Sequence, residues 1–286
     1  GISGTGKSEL PRLYSDLGGL PFFEIAVQPS WDSTQDLFGF FNYTDGRYKA
    51  EPLSRLLYDM TENPESIYIK HPVLWLLDEM NLARVEYYFA DLLSKLETRR
   101  GVLNSSNLDK SQRAAIDLDM GPNMPVTVGL PSQLMFVGTM NDDESTLALS
   151  DKVLDRSSLL QFPRPKNMKW HQQVKRQKST HRLTWETWTS WKTEPKDGGY
   201  TDKLNEMNKI MDQLGRPFGH RLFRNVQAYI ANHPLEDASD LAFEDQFVMK
   251  IAPRLRGLET TQPGVKKHLQ NLKDCIPESL HGAFKD

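Results

Sequence analysis

The chain opens with Gly1-Ile2-Ser3-Gly4-Thr5-Gly6-Lys7-Ser8, the stretch that decides its fold. This is a complete G-x-x-x-x-G-K-[ST] pattern, whose glycines let the backbone curl so that several N–H groups point at phosphate oxygens. The helix expected after it adds its positive N-terminal end. A glycine-rich turn before an ordinary helix is the alternative, but a complete match rarely arises by chance. We predict that the nucleotide-binding residues are Gly1, Gly4, Thr5, Gly6, Lys7 and Ser8.

A pair of carboxylates follows an apolar run. Val73 to Leu77 is continuously apolar, as expected of a central parallel strand, and it leads into Asp78-Glu79. Lys7 would reach the β- and γ-phosphates, while the Ser8 hydroxyl and Asp78 would hold Mg²⁺. Glu79 would polarise the attacking water. The alternative is a strand followed by a solvated acidic turn, but the acid in second position favours hydrolysis over nucleotide storage.

A polar amide ends the next predicted strand. Leu134 to Thr139 is strand-like and leads to Met140-Asn141. An amide here could orient the water and touch the γ-phosphate, because ligands gather at the carboxyl ends of strands in open α/β sheets. Asn also favours turns, so Asn141 gains its weight from the order of loop, acidic strand and amide strand. With further strands predicted at Phe22 to Val27 and Leu159 to Phe162, the pattern predicts a doubly wound parallel sheet.

Composition narrows the function classes. The 286 residues include 35 Lys and Arg and 38 Asp and Glu, so the formal net charge is −3. This excludes a uniformly basic nucleic-acid binder, although not a local basic patch. The single cysteine, Cys275, excludes an intramolecular disulfide framework and a Cys-based zinc site, and it fits a reducing, cytoplasmic setting. No apolar run approaches the roughly 18–20 residues of a membrane span, so no membrane partner is expected.

The sequence predicts three parts. Residues 1–165 form an α/β nucleotide-binding core, residues 166–200 a connecting segment rich in Trp and Lys, and residues 201–286 a helical lid. The strand that should lead into Gly1 is absent and the chain has no initiator Met, so we expect a fragment of a longer protein.

Two apolar patterns belong to the second half. Trp185, Trp188 and Trp191 have helical spacing, which favours a buried stripe over a stacking surface for single-stranded nucleic acid. The apolar residues between Leu204 and Leu214 recur at three and four residues, which predicts a lid helix with a buried face.

Four segments, in this order along the chain, resemble McrB-type AAA+ proteins. Leu77 to Phe89 resembles their Walker B segment, and Val137 to Ser145 resembles their sensor strand and signature loop. Ser150 to Ser157 resembles their arginine-finger segment, and Ile251 to Gly257 resembles a conserved element of their lid. The resemblance covers nearly the whole chain. It implies an AAA+ P-loop NTPase core with a parallel sheet, followed by an α-helical lid domain.

The same resemblance implies how subunits cooperate. It implies a homo-oligomeric ring, expected to be hexameric, with the nucleotide held between subunits. Glu79 and Asn141 would be catalytic within one subunit, while Arg156 would reach into the neighbouring site. There an arginine stabilises the charge that develops on the γ-phosphate. A surface salt bridge with Asp155 or Asp151 is the alternative for Arg156.

A further arginine resembles the sensor arginine of the lid. Arg221, in Phe218-Gly219-His220-Arg221, opens a helical pattern and is the fourth catalytic candidate. Arg224 is the alternative for this role.

The cofactors implied are Mg²⁺ and a nucleoside triphosphate. McrB itself prefers GTP, and its signature loop reads Asn-Thr-Ala-Asp, whereas this chain has Asn141-Asp142-Asp143-Glu144. The extra acid argues against transferring the GTP preference. Most of the wider class uses ATP, so we expect ATP, with GTP as the alternative.

An aromatic hairpin resembles one found in the subgroup of AAA+ proteins that includes McrB, MoxR and dynein-like motors. Asp45-Gly46 follows Phe40, Phe41 and Tyr43, and Asp-Gly between strand residues is a hairpin signal. The hairpin resembles one that faces the pore or substrate, so its aromatic residues are expected to contact a partner, with ordinary edge strands as the alternative. Pro125 to Val128 resembles a second such hairpin.

The resemblance favours a motor subunit that powers a DNA-restriction or anti-phage defence complex. The partners would be a nuclease or effector protein and DNA, contacted directly or through an upstream domain. A MoxR-like ATP-dependent chaperone acting on protein clients is the alternative. A module that binds nucleotide without hydrolysing it is disfavoured by the presence of Glu79, Asn141 and Arg156 together.

Overall fold

The chain divides into two compact units. In a computed structural model, the described residues are 5–100, 114–122, 124–141, 147–162, 179–195, 199–235, 239–278 and 280–281. The first unit comprises residues 1–153 and 162–190, and the second comprises residues 154–161 and 191–286. The predictions for Gly1, Gly4 and the acidic residues 142–144 concern residues outside the described ranges.

The first unit alternates strands and helices. Its strands are β1 (Phe22–Ala26), β2 (Gly39–Asn42), β3 (Arg47–Ala50), β4 (Val73–Asp78), β5 (Ala115–Asp119), β6 (Pro125–Gly129) and β7 (Leu134–Gly138). Its helices are α1 (Glu9–Gly18), α2 (Gln35–Phe38), α3 (Pro52–Glu62), α4 (Ile67–Lys70), α5 (Val85–Tyr88), α6 (Ala90–Arg100), α7 (Asp151–Leu154, whose last residue belongs to the second unit) and α8 (Trp185–Ser190).

A parallel sheet in the order β1-β4-β7 carries the first unit, so the three strands predicted at these places are confirmed. In β4, the residues from Val73 to Leu77 are all buried, because a central parallel strand is covered on both faces. Trp75 is 1% exposed and stacks on Phe23 with ring centroids 5.4 Å apart. Full burial of a large apolar side chain stabilises the fold by roughly 1.5–3 kcal/mol. The sheet thereby fixes where the carboxyl end of β4 lies.

Both predicted hairpins are confirmed. β2 pairs antiparallel with β3, and β5 pairs antiparallel with β6. Gly46 in the β2–β3 turn has φ 62°, a left-handed conformation that favours glycine. Phe40 and Tyr43 on this hairpin are 45% and 72% exposed.

Two expectations about residues 159–191 were wrong. Leu159 to Phe162 do not form a strand. The Leu159 N–H donates to the Met249 carbonyl at 3.2 Å, within the second unit, and so does not pair with a strand of the sheet. The tryptophans do not form one buried stripe either. Trp185 and Trp188 are half-buried on α8, but that helix ends at Ser190 and Trp191 beyond it is 61% exposed.

The second unit is helical where it is described. Its helices are α9 (Thr201–Gln213), α10 (His220–Ala231), α11 (Ser239–Gln246) and α12 (Pro263–Asp274), with a π-helical stretch at Phe247–Ile251 and a 3₁₀ turn at Ala252–Leu255. The buried face predicted for α9 is confirmed, since Leu204, Met207 and Met211 are fully buried. Within the described ranges of both units, no helix is long and apolar enough to cross a membrane.

Candidate functional site

The predicted phosphate loop leads directly into α1. Residues 5–8 form a turn, and the carbonyl of Gly6 accepts hydrogen bonds from the N–H groups of Glu9 and Leu10, each at 3.2 Å. Gly6 has φ 85°, a conformation that a side chain would strain. This turn presents Lys7 and Ser8 at the N-terminal end of a ten-residue helix, where the helix dipole favours an anion.

Asp78 receives two hydroxyl groups at the carboxyl end of β4. Its Oδ1 atom accepts a hydrogen bond from Ser8 Oγ at 2.6 Å and another from Thr139 Oγ1 at 2.6 Å. A carboxylate can only accept, so both hydroxyls donate. Ser8 and Thr139 lie 70 and 61 positions from Asp78 in the sequence, yet both bind the same carboxylate oxygen.

Glu79 has an unusual backbone. Its φ of 53° and ψ of 45° place it in the left-handed region, and among the described residues it is the one non-glycine residue with positive φ. Its N–H donates to Thr139 Oγ1 at 2.9 Å, and its Oε1 accepts from Asn141 Nδ2 at 3.1 Å. Strained residues of this kind persist where the surroundings hold them, and they concentrate at functional sites.

Met80 follows the carboxylate pair, and both of its main-chain polar groups are hydrogen-bonded. Its N–H donates to the Thr139 carbonyl at 2.8 Å, and its carbonyl accepts from the Tyr88 hydroxyl at 2.8 Å. Burial raises the pKa of Tyr88 well above its ordinary value, so this hydroxyl stays protonated and able to donate. The segment that carries Asp78 and Glu79 is therefore fixed at its downstream end as well.

The Asn81 side chain forms hydrogen bonds with the main chain of both Asn141 and Leu147. The side chain is 3% exposed, and its Nδ2 donates to the Asn141 carbonyl at 2.9 Å and to the Leu147 carbonyl at 3.2 Å. The Asn81 carbonyl in turn accepts from the Leu147 N–H at 3.0 Å. These bonds hold Asn141, and with it the amide that faces Glu79, to the segment after β4.

The residues present fit a Mg²⁺–nucleotide complex. Mg²⁺ prefers oxygen ligands and is bound by one or two protein groups together with phosphates and water. Ser8 Oγ and Asp78 Oδ1 are two such oxygens 2.6 Å apart, beside a helix N-terminus that suits phosphate. Ser8 and Asp78 would hold the metal, which would neutralise phosphate charge.

The two remaining candidates belong to the second unit. Arg156 is half-buried just after α7, and Arg221 is half-buried as the second residue of α10, whereas Arg224 is exposed. The neighbour of Arg156, Asp155, pairs with Arg254. Lys7, Ser8, Asp78, Glu79 and Asn141 all belong to the first unit.

Sequence reasoning missed Thr139 and Asn81. The sequence predicted Thr139 only as the last residue of a strand, and it placed Asn81 only within the Leu77 to Phe89 segment. A signal for Thr139 was available, because a hydroxyl at the end of a strand next to the acidic strand can reach the acid. Nothing in the sequence indicated the partners of Asn81, which are main-chain carbonyls more than 55 residues away.

Comparison with known families agrees with this geometry. A family model described as an AAA domain of the dynein-related subfamily matches residues 1–157, more than half of the 286 residues. A second model, described as a domain of unknown function, matches residues 177–283. No curated protein matches the chain. The first match contains the phosphate loop, both hairpins, the carboxylate pair and Asn141.

Proposed function

Because the chain belongs to the dynein-related subfamily of AAA domains, we propose that it is a Mg²⁺-dependent ATPase motor subunit that acts within a ring. Family membership implies hydrolysis of a nucleoside triphosphate. One observation carries the assignment to particular residues. Hydrogen bonds run from Ser8 to Asp78, and from Asn141 to Glu79, so the loop, the acidic strand and the amide strand meet at one edge of the sheet.

The proposed role of each residue follows from the positions of the negative charges on the phosphates and of the proton that the attacking water loses. Lys7 and the N-terminal end of α1 would bind the β- and γ-phosphates, and Ser8 and Asp78 would hold Mg²⁺. Glu79 accepts a proton from the attacking water, and Asn141 fixes the direction of that carboxylate through its 3.1 Å hydrogen bond. A carboxylate held in one direction is preorganised for this task and need not reorient during the reaction.

ATP is the proposed nucleotide, with GTP as the alternative. The support is the usage of the wider AAA+ class, together with the departure of Asp142, Asp143 and Glu144 from the GTP-preferring pattern of McrB.

Arg156 is proposed to act in the site of a neighbouring subunit of a homo-oligomeric, hexameric ring. The motif resemblance supports this role, because an arginine supplied in trans stabilises charge on the transferred phosphoryl group. Arg221 is proposed as the sensor arginine of the helical unit, with Arg224 as the alternative.

The exposed hairpin supports a macromolecular substrate. Phe40 and Tyr43 expose large aromatic surfaces on β2–β3, and such residues are enriched where proteins bind partners. We favour a DNA-restriction or defence complex with a nuclease partner, by motif resemblance to McrB. A MoxR-like chaperone with protein clients would use the same hairpin and is the alternative.

One experiment tests these proposals together. The full-length protein is purified, and its ATP and GTP turnover is measured with and without DNA, alongside its native mass. We expect Mg²⁺-dependent ATP turnover, stimulation by DNA and a mass of several subunits. A DNA-independent ATPase that responds to a protein client would favour the chaperone, and a nucleotide-binding protein without turnover would overturn the motor assignment.

A further inference from the structure

The N–H, carbonyl and hydroxyl groups of Thr139 all form hydrogen bonds with the acidic segment, the four consecutive residues Leu77 to Met80. Its N–H donates to the Leu77 carbonyl at 3.0 Å, and its carbonyl accepts from the Met80 N–H at 2.8 Å. Its hydroxyl donates to Asp78 Oδ1 at 2.6 Å and accepts from the Glu79 N–H at 2.9 Å. The side chain is 6% exposed, so water does not replace these bonds readily.

The hydroxyl lies between the two carboxylate residues and imposes a direction on both. A hydroxyl has a single proton, which Thr139 gives to Asp78, while its lone pair receives the Glu79 amide. The first bond orients the proposed metal ligand. The second holds the backbone of Glu79 in the left-handed conformation, which residues with a Cβ adopt at a cost in free energy.

The main-chain bonds of Thr139 do not depend on its side chain. The bonds to Leu77 and Met80 continue the contact between β4 and β7, and any residue except proline can make them. The hydroxyl alone therefore distinguishes threonine from an isosteric apolar residue at this position.

We propose that Thr139 is a positioning residue for hydrolysis, which aligns Asp78 and Glu79 through its hydroxyl. The role rests on the proposed function, since it is exerted through the proposed metal ligand and the proposed base. Groups that orient ligands and bases in this way contribute roughly 10–100-fold to affinity or activity in comparable sites.

Three variants of the full-length protein test the role. Thr139→Val keeps the shape and loses the hydroxyl, whereas Thr139→Ser keeps the hydroxyl and loses a methyl group. Thr61→Val on α3 is the matched control, because the Thr61 hydroxyl also donates one hydrogen bond and accepts another, to the Leu57 carbonyl at 2.7 Å and from the Gly129 N–H at 2.9 Å. Basal ATP turnover, nucleotide affinity and the thermal midpoint are measured for each.

We expect Thr139→Val to lower kcat by about 10–100-fold while the KM for ATP changes by less than about threefold. Thr139→Ser should restore most of the rate, and Thr61→Val should match the wild type. The proposal is overturned if Thr139→Val keeps the wild-type kcat, or if Thr139→Ser is as slow as Thr139→Val. A parallel fall of kcat, affinity and thermal midpoint in Thr139→Val would indicate a purely structural role.

A second readout separates this inference from the proposed function. If the wild-type protein binds ATP without turnover, the proposed function fails, but the exchange rate of the Glu79 amide, measured by NMR, still decides the role of Thr139. Faster exchange in Thr139→Val, with wild-type rates in Thr139→Ser and Thr61→Val, supports the alignment by the hydroxyl. Equal rates in all four proteins overturn it.

Discussion

Glu79 combines a strained backbone with a carboxylate whose direction is fixed by Asn141. Replacement by Gln keeps the size of the side chain and removes its ability to accept a proton. Glu79→Gln should therefore keep nucleotide binding and assembly while turnover falls by at least about 100-fold, as expected for loss of a general base. Equilibrium binding of ATP and steady-state phosphate release are the measurements. Undiminished hydrolysis would remove Glu79 from the proposed role.

Gly138 allows Met80 to approach β7 closely. A Cβ atom added to Gly138 would lie 2.0 Å from Met80 Sδ, which no side chain can accommodate without movement. Gly138→Ala should lower the free energy of unfolding by about 1 kcal/mol, at the low end for overpacking, because the flexible, half-buried Met80 side chain can move aside. Thermal and denaturant unfolding measure the effect.

The control is Gly264→Ala on α12, where an added Cβ meets nothing within 4 Å. It should be neutral, or stabilising by up to about 1 kcal/mol. Equal stability of the two variants would contradict the close approach.

For individual residues, the chemical role could be predicted from the sequence, but the orientation of the side chains could not. Lys7, Ser8, Asp78 and Glu79 are recognisable because phosphate and Mg²⁺ chemistry needs those groups in that order. The orientation of Asp78 and Glu79 comes from Thr139, which makes bonds across a strand pairing of long sequence separation. No local pattern encodes such a bond.

Among the elements, α5 is linked by a hydrogen bond to Ser150, the residue before α7. Glu86 in α5 accepts a hydrogen bond from the Ser150 N–H at 3.1 Å. Burial raises the pKa of Glu86, but hydrogen bonding by Ser150 and the charge of Arg84 lower it by more, so the pKa lies below its ordinary value of 4.5. The ionised form is therefore favoured by folding.

The lowered pKa predicts a pH dependence. A carboxylate with a depressed folded-state pKa stabilises the fold above its unfolded pKa, and this contribution is lost as pH falls through the folded pKa. Glu86→Gln should thus cost about 0.5 kcal/mol near pH 7, since solvent screens this half-buried group, and progressively less below about pH 4.5. Denaturant midpoints of variant and wild type across this range measure the difference. Glu186→Gln on the exposed face of α8 is the control, and a cost independent of pH would contradict the prediction.

The periodic elements were predictable, and the failures have physical causes. β4, β7 and the β2–β3 hairpin follow from apolar runs and turn residues, whereas the β5–β6 hairpin was expected from family resemblance. Leu159 was assigned to a strand because its segment is apolar, but its backbone bonds to Met249, about 90 residues later, and apolarity does not specify a partner. Trp191 continues the spacing of Trp185 and Trp188 beyond the end of their helix at Ser190.

For the whole molecule, the proposed ring predicts complementation between inactive subunits. Arg156→Ala would remove the finger that serves the neighbour, and Lys7→Ala would disable a subunit's own site. In mixed rings, a Lys7→Ala subunit can still lend Arg156 to an intact site on an Arg156→Ala neighbour. Turnover measured as the two are mixed should rise above that of either alone. Failure to complement, in mixed rings shown to assemble, would count against action in trans.

Residues 154–161 take their contacts from the helical unit. Asp155 pairs with Arg254, the Ser157 carbonyl accepts from Lys250, and the Leu159 N–H donates to Met249. Arg156 lies in this stretch and so belongs to the helical unit, whereas Lys7 belongs to the other unit. In the proposed ring, any displacement of those helices would also alter the catalytic competence of the next subunit. Through these three contacts, the conformation of the helical unit in one subunit would help to set the rate of hydrolysis in the next.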